Sequence, residues 1–341
     1  MLIAAAREIA RRWVYDNAAS RHDFAGAFFA GSTGESAADA PLPATSDVDI
    51  VVVVDSDITP PKLGKVTVSG IVLEVTFAAL ADFADAATVA DTYYLANSFR
   101  RDQLIADPTG RLRAVQTVVG AGFGQPKQIM RRCDHAIGRI RSGLATLDPS
   151  TPWHDLIMGW MFSTSIATHV VLIAALRNPT VRLRYVAARE VLVERGRVDL
   201  YDELLEQLGA RDVSAETVAR WLDALEPVFD DAVRLGTTPF FYSSDISDDA
   251  RHIAFDGSRR LIADGLQREA VFWIVATYTR CMVILTADAP RFAEGHDATF
   301  RQATRELLGV RSRDDLVQRA VRTVGFLPRL RSFAAEVSRS A

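Results

Sequence analysis

Two short stretches of the chain decide its fold: Phe28-Phe29-Ala30-Gly31-Ser32 and Ser46-Asp47-Val48-Asp49-Ile50-Val51-Val52-Val53-Val54. The first is an apolar run that stops at Gly-Ser, and the second is a β-branched run that opens with two carboxylates. Side chains alternate faces along a strand, so Asp47 and Asp49 are expected to point the same way. Like charges this close repel unless a cation lies between them, and oxygen ligands suit magnesium or manganese. The pattern therefore predicts a divalent-metal site on a central, buried strand.

A third carboxylate follows on a predicted β-hairpin. The runs 65–68 and 71–77 have the alternation of strands, and Ser69-Gly70 between them is a turn-forming pair. Glu74 lies in the second run, with apolar neighbours on the opposite face. The hairpin therefore carries one carboxylate on a face of its second strand.

This ordered set of motifs resembles the nucleotidyltransferase superfamily that includes DNA polymerase beta and the kanamycin nucleotidyltransferases. The family signature is an apolar strand ending in Gly-Ser, a spacer, Asp-x-Asp on the next strand and a carboxylate on a later strand. The resemblance implies that Glu74 is this third carboxylate, and we expect it to lie beside the strand that carries the two aspartates. The resemblance is specific over residues 24–110, where Asp107-Pro108-Thr109-Gly110 also looks like the end of the family's catalytic domain. Aminoglycoside-modifying members are the most similar branch.

The resemblance implies an enzyme, an adenylyltransferase that depends on magnesium. It would move a nucleoside monophosphate, expected to be AMP from ATP, to a hydroxyl of an aminoglycoside-like small molecule and release pyrophosphate. Such an activity would confer antibiotic resistance. Asp47, Asp49 and Glu74 would hold two Mg²⁺ ions, and Gly31 and Ser32 would bind the phosphates.

A general base is also implied, because antibiotic nucleotidyltransferases deprotonate the acceptor hydroxyl with a carboxylate. The candidates are Asp155, near the start of an apolar helix, and Glu190. Both residues also suit the surface or first turn of a helix, where a carboxylate is favourable in any case. Some relatives complete their site with a second subunit, so a homodimer stays open.

Positive charge for the triphosphate must come from outside the spacer, because the 14 residues between Ser32 and Asp47 contain no Arg or Lys. The candidates are Arg100, Arg101 and Lys127, with Arg131, Arg132, Arg139 and Arg141 on the first predicted helix after the domain boundary. Alternatively, these basic side chains lie on the solvated surface and bind no ligand, as is common for such a run.

Composition narrows the class of protein. A 341-residue chain with 49% hydrophobic and 24% charged residues is long enough for two soluble domains. Its net charge of −4 argues against a nucleic-acid partner. Two distant cysteines predict no disulfide, and Arg7 and Glu8 interrupt any apolar leader, so we expect a cytoplasmic protein.

The chain is predicted to be α+β: a nucleotidyltransferase domain at 1–120, with a small mixed sheet and flanking helices, followed by an all-helical acceptor-binding domain at 126–341. Punctuation by glycine and proline at 120–126 marks the boundary. Helices are expected at 2–18 and 79–96, and then at 127–147, 153–176, 183–195, 198–208, 214–234, 248–264, 267–287, 290–308, 312–322 and 327–338.

Two features of the helical part have competing interpretations. The segment 156–176 has no charged residue and is just long enough to span a membrane, but its Ser, Thr and His content favours a core helix in which His169 is buried. The Phe240-Phe241-Tyr242 loop either fills the core or stacks on a ligand.

Two other functions remain open for the chain as a whole. The same chemistry can act on a protein or RNA, as in toxin–antitoxin relatives. Alternatively, the chain is a nucleotide-binding protein whose catalytic site has decayed.

Overall fold

The computed structural model describes residues 1–340, in which five strands form one sheet and the remaining elements are helices. The strands are β1 (Phe24–Phe29), β2 (Val48–Val54), β3 (Gly64–Val68), β4 (Ile71–Ala79) and β5 (Leu104–Ala106). The helices are α1 (Ile3–Asn17), α2 (Ala86–Asp91), α3 (Tyr93–Ala96), α4 (Arg111–Gly122), α5 (Pro126–Ala145), α6 (Trp153–Ala174), α7 (Arg184–Glu194), α8 (Val198–Leu208), α9 (Ala215–Leu235), α10 (Asp248–Ala263), α11 (Gln267–Asp288), α12 (Pro290–Leu308) and α13 (Arg313–Ser338).

The sheet is mixed and has β2 at its centre. Its strand order is β3-β4-β2-β1-β5. Strand β2 runs parallel to β4 and antiparallel to β1, while β3–β4 and β1–β5 are antiparallel pairs. The predictions of an α+β fold, a small mixed sheet and a central β-branched strand are confirmed.

Both faces of β2 are covered, as its β-branched run predicts. Val48, Ile50 and Val52 are buried in a cluster with residues of α1, whereas Val53 belongs to a second cluster with residues of α4. This double burial makes β2 a rigid support for the side chains at its N-terminal end.

The prediction of one continuous helix at 79–96 is wrong. Residues 80–83 form one 3₁₀ turn, and then α2 and α3 follow as separate short helices. Asp85 explains the break, since its carboxylate accepts hydrogen bonds from the backbone of Ala87 (3.0 Å) and Thr88 (3.2 Å) and so starts a new helix. Helix α4 was not predicted.

The helices after residue 126 follow the predicted order, with one correction. The expected break between 322 and 327 is absent, because α13 is continuous and contains Pro328. Its buried face runs through that region with Thr323, Phe326 and Leu327, so packing outweighs the hydrogen bond that proline removes.

The described chain divides into two compact units. One contains Met1–His135 and Leu176–Pro179, and the other contains Ala136–Ala175 and Thr180–Ser340. Helix α5 therefore contributes its first half to the sheet unit and its second half to the helical unit. Gly120 and Gly122 belong to the last turn of α4, and Gly124 lies in the turn before α5.

Two helices of the helical unit, α6 and α11, are long and apolar enough to cross a membrane by length and composition alone. In their most apolar windows, 72% and 78% of the residues are buried inside the protein. Helix α6 packs against α7, α11 and α13, and His169 is buried within it. These contacts are those of core helices, and the prediction of a buried His169 is confirmed.

Candidate metal centre

Strand register places three charged side chains in one row across the sheet. Asp49 on β2 pairs with Glu74 on β4, and Glu74 pairs in turn with Lys65 on β3. Residues in the same row of neighbouring strands project from the same face. Asp47 lies one residue before β2 and two before Asp49, which brings it to the same end of the sheet.

The three predicted carboxylates meet at this point. One oxygen from each of Asp47, Asp49 and Glu74 lies within 4.8 Å of the other two, and all three residues are half-buried. We call this group the carboxylate cluster. The expected placement of Glu74 beside the aspartates is confirmed, while a role in catalysis stays a prediction.

Gly31 leaves the space that Asp49 occupies. Its φ of +62° is in the left-handed region, and a Cβ built on it would lie 1.8 Å from Asp49 Oδ2. The backbone of β1 also holds β2 here, because Ala30 N–H donates to the Asp49 carbonyl at 3.0 Å. The Gly-Ser pair is thus a close backbone approach to the carboxylate cluster.

The loop after Gly31 is held from outside. Arg7 on α1 donates to the carbonyls of Thr33 (3.0 Å) and Ser36 (3.2 Å), and Gln103 donates to the Gly34 carbonyl. Ser32 is exposed, so its hydroxyl is open to solvent. The composition of this loop predicts only turns, and its long-range anchors were missed.

Two lysines missed by sequence reasoning neutralise most of the carboxylate cluster. Lys65 Nζ lies 3.0 Å from Asp47 Oδ2 and 2.8 Å from Glu74 Oε2, and Lys62 is ion-paired with Glu74. A signal for Lys65 was available. A two-residue turn at Ser69-Gly70 sets the hairpin register that places Lys65 opposite Glu74.

Asp49 carries the electrostatic cost of this arrangement. Burial raises its pKa well above the usual value for aspartate, and the charges of Asp47 and Glu74 raise it further. Lys65 and Lys62 act in the opposite direction. Additional positive charge near Asp49 is therefore favourable.

The carboxylate cluster fits a divalent cation of the Mg²⁺ or Mn²⁺ type. Its donors are carboxylate oxygens only and they converge on one point, where burial and then mutual repulsion raise the pKa of Asp49. The two lysines compete for the same oxygens. Metal binding at this site would therefore exchange one form of charge compensation for another.

The two general-base candidates belong to the helical unit. Asp155 is in the first turn of α6, and its Oδ2 lies 3.7 Å from His154 Nε2. Its charge also contributes to the raised pKa of Tyr242, which is about 12 and results mainly from burial. Glu190 is exposed on α7. A role for either as a base stays a prediction.

Several of the basic candidates have structural partners, and Arg100 and Arg132 are the most buried of them. Arg100 donates to the Leu176 carbonyl at 2.9 Å and lies 3.4 Å from Glu35. Arg132 is buried and donates to the Phe123 carbonyl, and burial lowers its pKa to about 10. Neither guanidinium is simply a solvated surface group.

The aromatic loop 240–242 has two half-buried rings and one exposed ring. Phe240 and Tyr242 stack with ring centroids 5.6 Å apart, whereas Phe241 is 71% exposed. Asp245 lies 2.9 Å from Arg280, which is also over the Tyr242 ring. The two half-buried rings are therefore held by stacking and by Arg280, while Phe241 between them is exposed.

Comparison with known proteins does not assign the chain to a family. No protein-family model matches the chain, and no curated protein shows significant sequence similarity to it.

Proposed function

We propose that this protein is a divalent-metal-dependent nucleotidyltransferase that moves a nucleoside monophosphate, AMP from ATP, to a hydroxyl of a small molecule. The observation that carries the proposal is the carboxylate cluster, whose oxygens lie within 4.8 Å of one another beside the Gly31 backbone. Three convergent carboxylates are what two-metal nucleotidyl transfer requires. The sheet unit would be its catalytic domain, and the helical unit would select the acceptor.

Each residue then has a task that follows from its position. Asp47, Asp49 and Glu74 would hold the metal, which supplies charge stabilisation to the attacking and leaving oxygens. The Gly31 backbone would lie next to the phosphates, and the exposed Ser32 hydroxyl would donate to a phosphate oxygen. Lys62 and Lys65 would provide the positive charge that the spacer lacks.

The proposal is tested by measuring pyrophosphate release from ATP and GTP with Mg²⁺ across aminoglycosides, lincosamides and aminocyclitols. Release that depends on one acceptor and is abolished by Asp49→Asn supports the function. Asp39→Asn is the matched control, because Asp39 is an exposed aspartate in the spacer of the same unit. Release that persists in Asp49→Asn would contradict the assignment of the carboxylate cluster.

The general base is tested on the same acceptor. Asp155→Asn and Glu190→Gln separate the two candidates, since only the true base should lower kcat strongly while leaving ATP binding intact. Unchanged kcat in both variants would exclude both residues.

The lysine contacts favour one alternative function. Because Lys62 and Lys65 already compensate the carboxylate cluster, the site is also consistent with a protein whose carboxylates serve structure alone. Thermal unfolding distinguishes the two proposals. If the carboxylate cluster binds metal, Mg²⁺ should raise the Tm of the wild type but not that of Asp49→Asn. No Mg²⁺ effect in the wild type would favour the structural role.

A further inference from the structure

A cavity in the helical unit has an unusual concentration of arginine. Its volume is about 490 Å³, and it lies where the α12–α13 turn approaches the start of α6. The charged and aromatic residues that line it are Trp153, Arg301, Arg305, Arg311, Arg313 and Asp314. We call it the arginine cavity. Four cations face one anion in a chain whose net charge is −4.

Two of these arginines form hydrogen bonds with other residues of the protein. Arg301 donates to Asp297 at 2.6 Å and lies 5.4 Å from the Trp153 ring centre. Arg313 donates to the Thr151 carbonyl at 2.6 Å, which ties the start of α13 to the residues before α6. Their presence in the wall is explained by these contacts.

The other two arginines have no such explanation. Arg305 and Arg311 are both exposed, and within residues 1–340 neither guanidinium has a hydrogen-bond or ion-pair partner. Only the backbone N–H of Arg311 is engaged, donating to Asp315 at 3.1 Å. These side chains are free to bind a molecule in the cavity.

Like charges gather around the arginine cavity, although solvent screens the exposed groups and the dipole of α12 favours Arg305 in its last turn. Arg301 and Arg305 are four residues apart on α12, where like charges repel across one helical turn. Arg311 and Arg313 lie at the N-terminus of α13, where the helix dipole disfavours cations. A bound anion would relieve both effects at once.

We propose that the arginine cavity binds a small molecule that carries a phosphate or pyrophosphate group, held by Arg305 and Arg311. Guanidinium groups match phosphate oxygens in bidentate geometry, and the cavity volume is in the range of small-molecule sites. Arg301 and Arg313 add long-range attraction from fixed positions. The site needs no residue of the carboxylate cluster, so it is independent of the proposed transfer reaction.

The test is calorimetric titration of the full-length protein with inorganic pyrophosphate in EDTA, which removes divalent metal from both partners. Saturable binding that weakens with added salt is expected. The Arg305→Ala/Arg311→Ala double variant should bind at least about tenfold more weakly, because both charge-assisted contacts are lost. Arg291→Ala is the matched control, since Arg291 is exposed on the same helix outside the cavity.

A variant that should bind pyrophosphate more tightly than the wild type controls for a loss of binding caused by structural damage. Asp314→Asn removes the acidic residue of the cavity and should tighten pyrophosphate binding by about threefold. Absence of saturable binding to the wild type below about 10 mM would overturn the proposal. So would equal binding by the double variant, and equally tight binding of citrate would overturn the phosphate class.

Discussion

The carboxylate cluster and the arginine cavity are two places where the chain gathers like charges, and they handle the repulsion differently. The carboxylates are half-buried and in contact with two lysines. Arg305 and Arg311 in the cavity are exposed to solvent. Charges withdrawn from water need a local counter-ion, whereas water screens exposed ones at small cost. Burial therefore decides which group of charges the fold must compensate.

Replacement of Lys65 should have the largest effect on stability. Lys65→Met leaves Asp47 and Glu74 without their shared cation, and we expect a loss of about 3–5 kcal/mol in the free energy of unfolding. Chemical denaturation in EDTA measures it. Lys127→Met is the control, because Lys127 is exposed in the same unit. If Mg²⁺ takes the same oxygens, it should stabilise Lys65→Met more than the wild type. Equal stability of the two methionine variants would contradict the compensating role.

Gly31→Ala tests the space around the carboxylate cluster. The added methyl would meet Asp49 Oδ2 at 1.8 Å, and the left-handed backbone adds strain. We expect a loss of about 2–3 kcal/mol and no Mg²⁺-dependent rise in Tm. Gly70→Ala separates the two causes, because Gly70 has φ +80° but no atom within 4 Å of its would-be Cβ. It should cost only about 1 kcal/mol. Similar losses in both variants would mean that strain alone matters.

Asp288 contrasts with Asp49, because its carboxylate has hydrogen-bond donors around it and not like charges. It accepts hydrogen bonds from the backbone N–H groups of Thr237 (2.6 Å) and Thr238 (2.8 Å), and from the Thr238 hydroxyl. These bonds lower its pKa to about 2, the opposite direction from Asp49.

The lowered pKa of Asp288 predicts a pH dependence of stability. The stabilisation is complete above the unfolded pKa of about 3.9 and is lost as the pH falls toward 2. The Tm of Asp288→Asn should therefore lie below that of the wild type at pH 6, and the gap should narrow between pH 4 and pH 2. A gap that stays constant over this range would contradict the assignment.

The smallest effect is expected in the arginine cavity. Arg305→Ala/Arg311→Ala should change the free energy of unfolding by no more than about 0.5 kcal/mol, because both side chains are exposed and neither guanidinium has a hydrogen-bond or ion-pair partner within residues 1–340. Denaturation in EDTA without phosphate measures it beside Arg291→Ala. A large loss would show that the two arginines stabilise the fold and are not held ready for a ligand.

Much of the fold could be predicted from neighbouring residues. The predicted hairpin, the central β-branched strand and nearly all helices after residue 126 are confirmed, because their periodicity is local. The wrong predictions concern helix boundaries that are set by packing against distant residues or by a single capping side chain. Asp85 divides the predicted helix at 79–96, and buried residues carry α13 past Pro328.

The site shows the same division. Alternation along a strand was enough to predict that Asp47 and Asp49 share one side, and turn chemistry was enough to predict that Glu74 belongs to a hairpin. The family resemblance placed that hairpin beside the strand. Only the tertiary structure decided that Lys62 and Lys65 compensate these carboxylates. It also decided that Arg305 and Arg311 open into a cavity. The reason is physical: alternation along a strand is local, whereas burial and charge pairing depend on residues that only folding brings together.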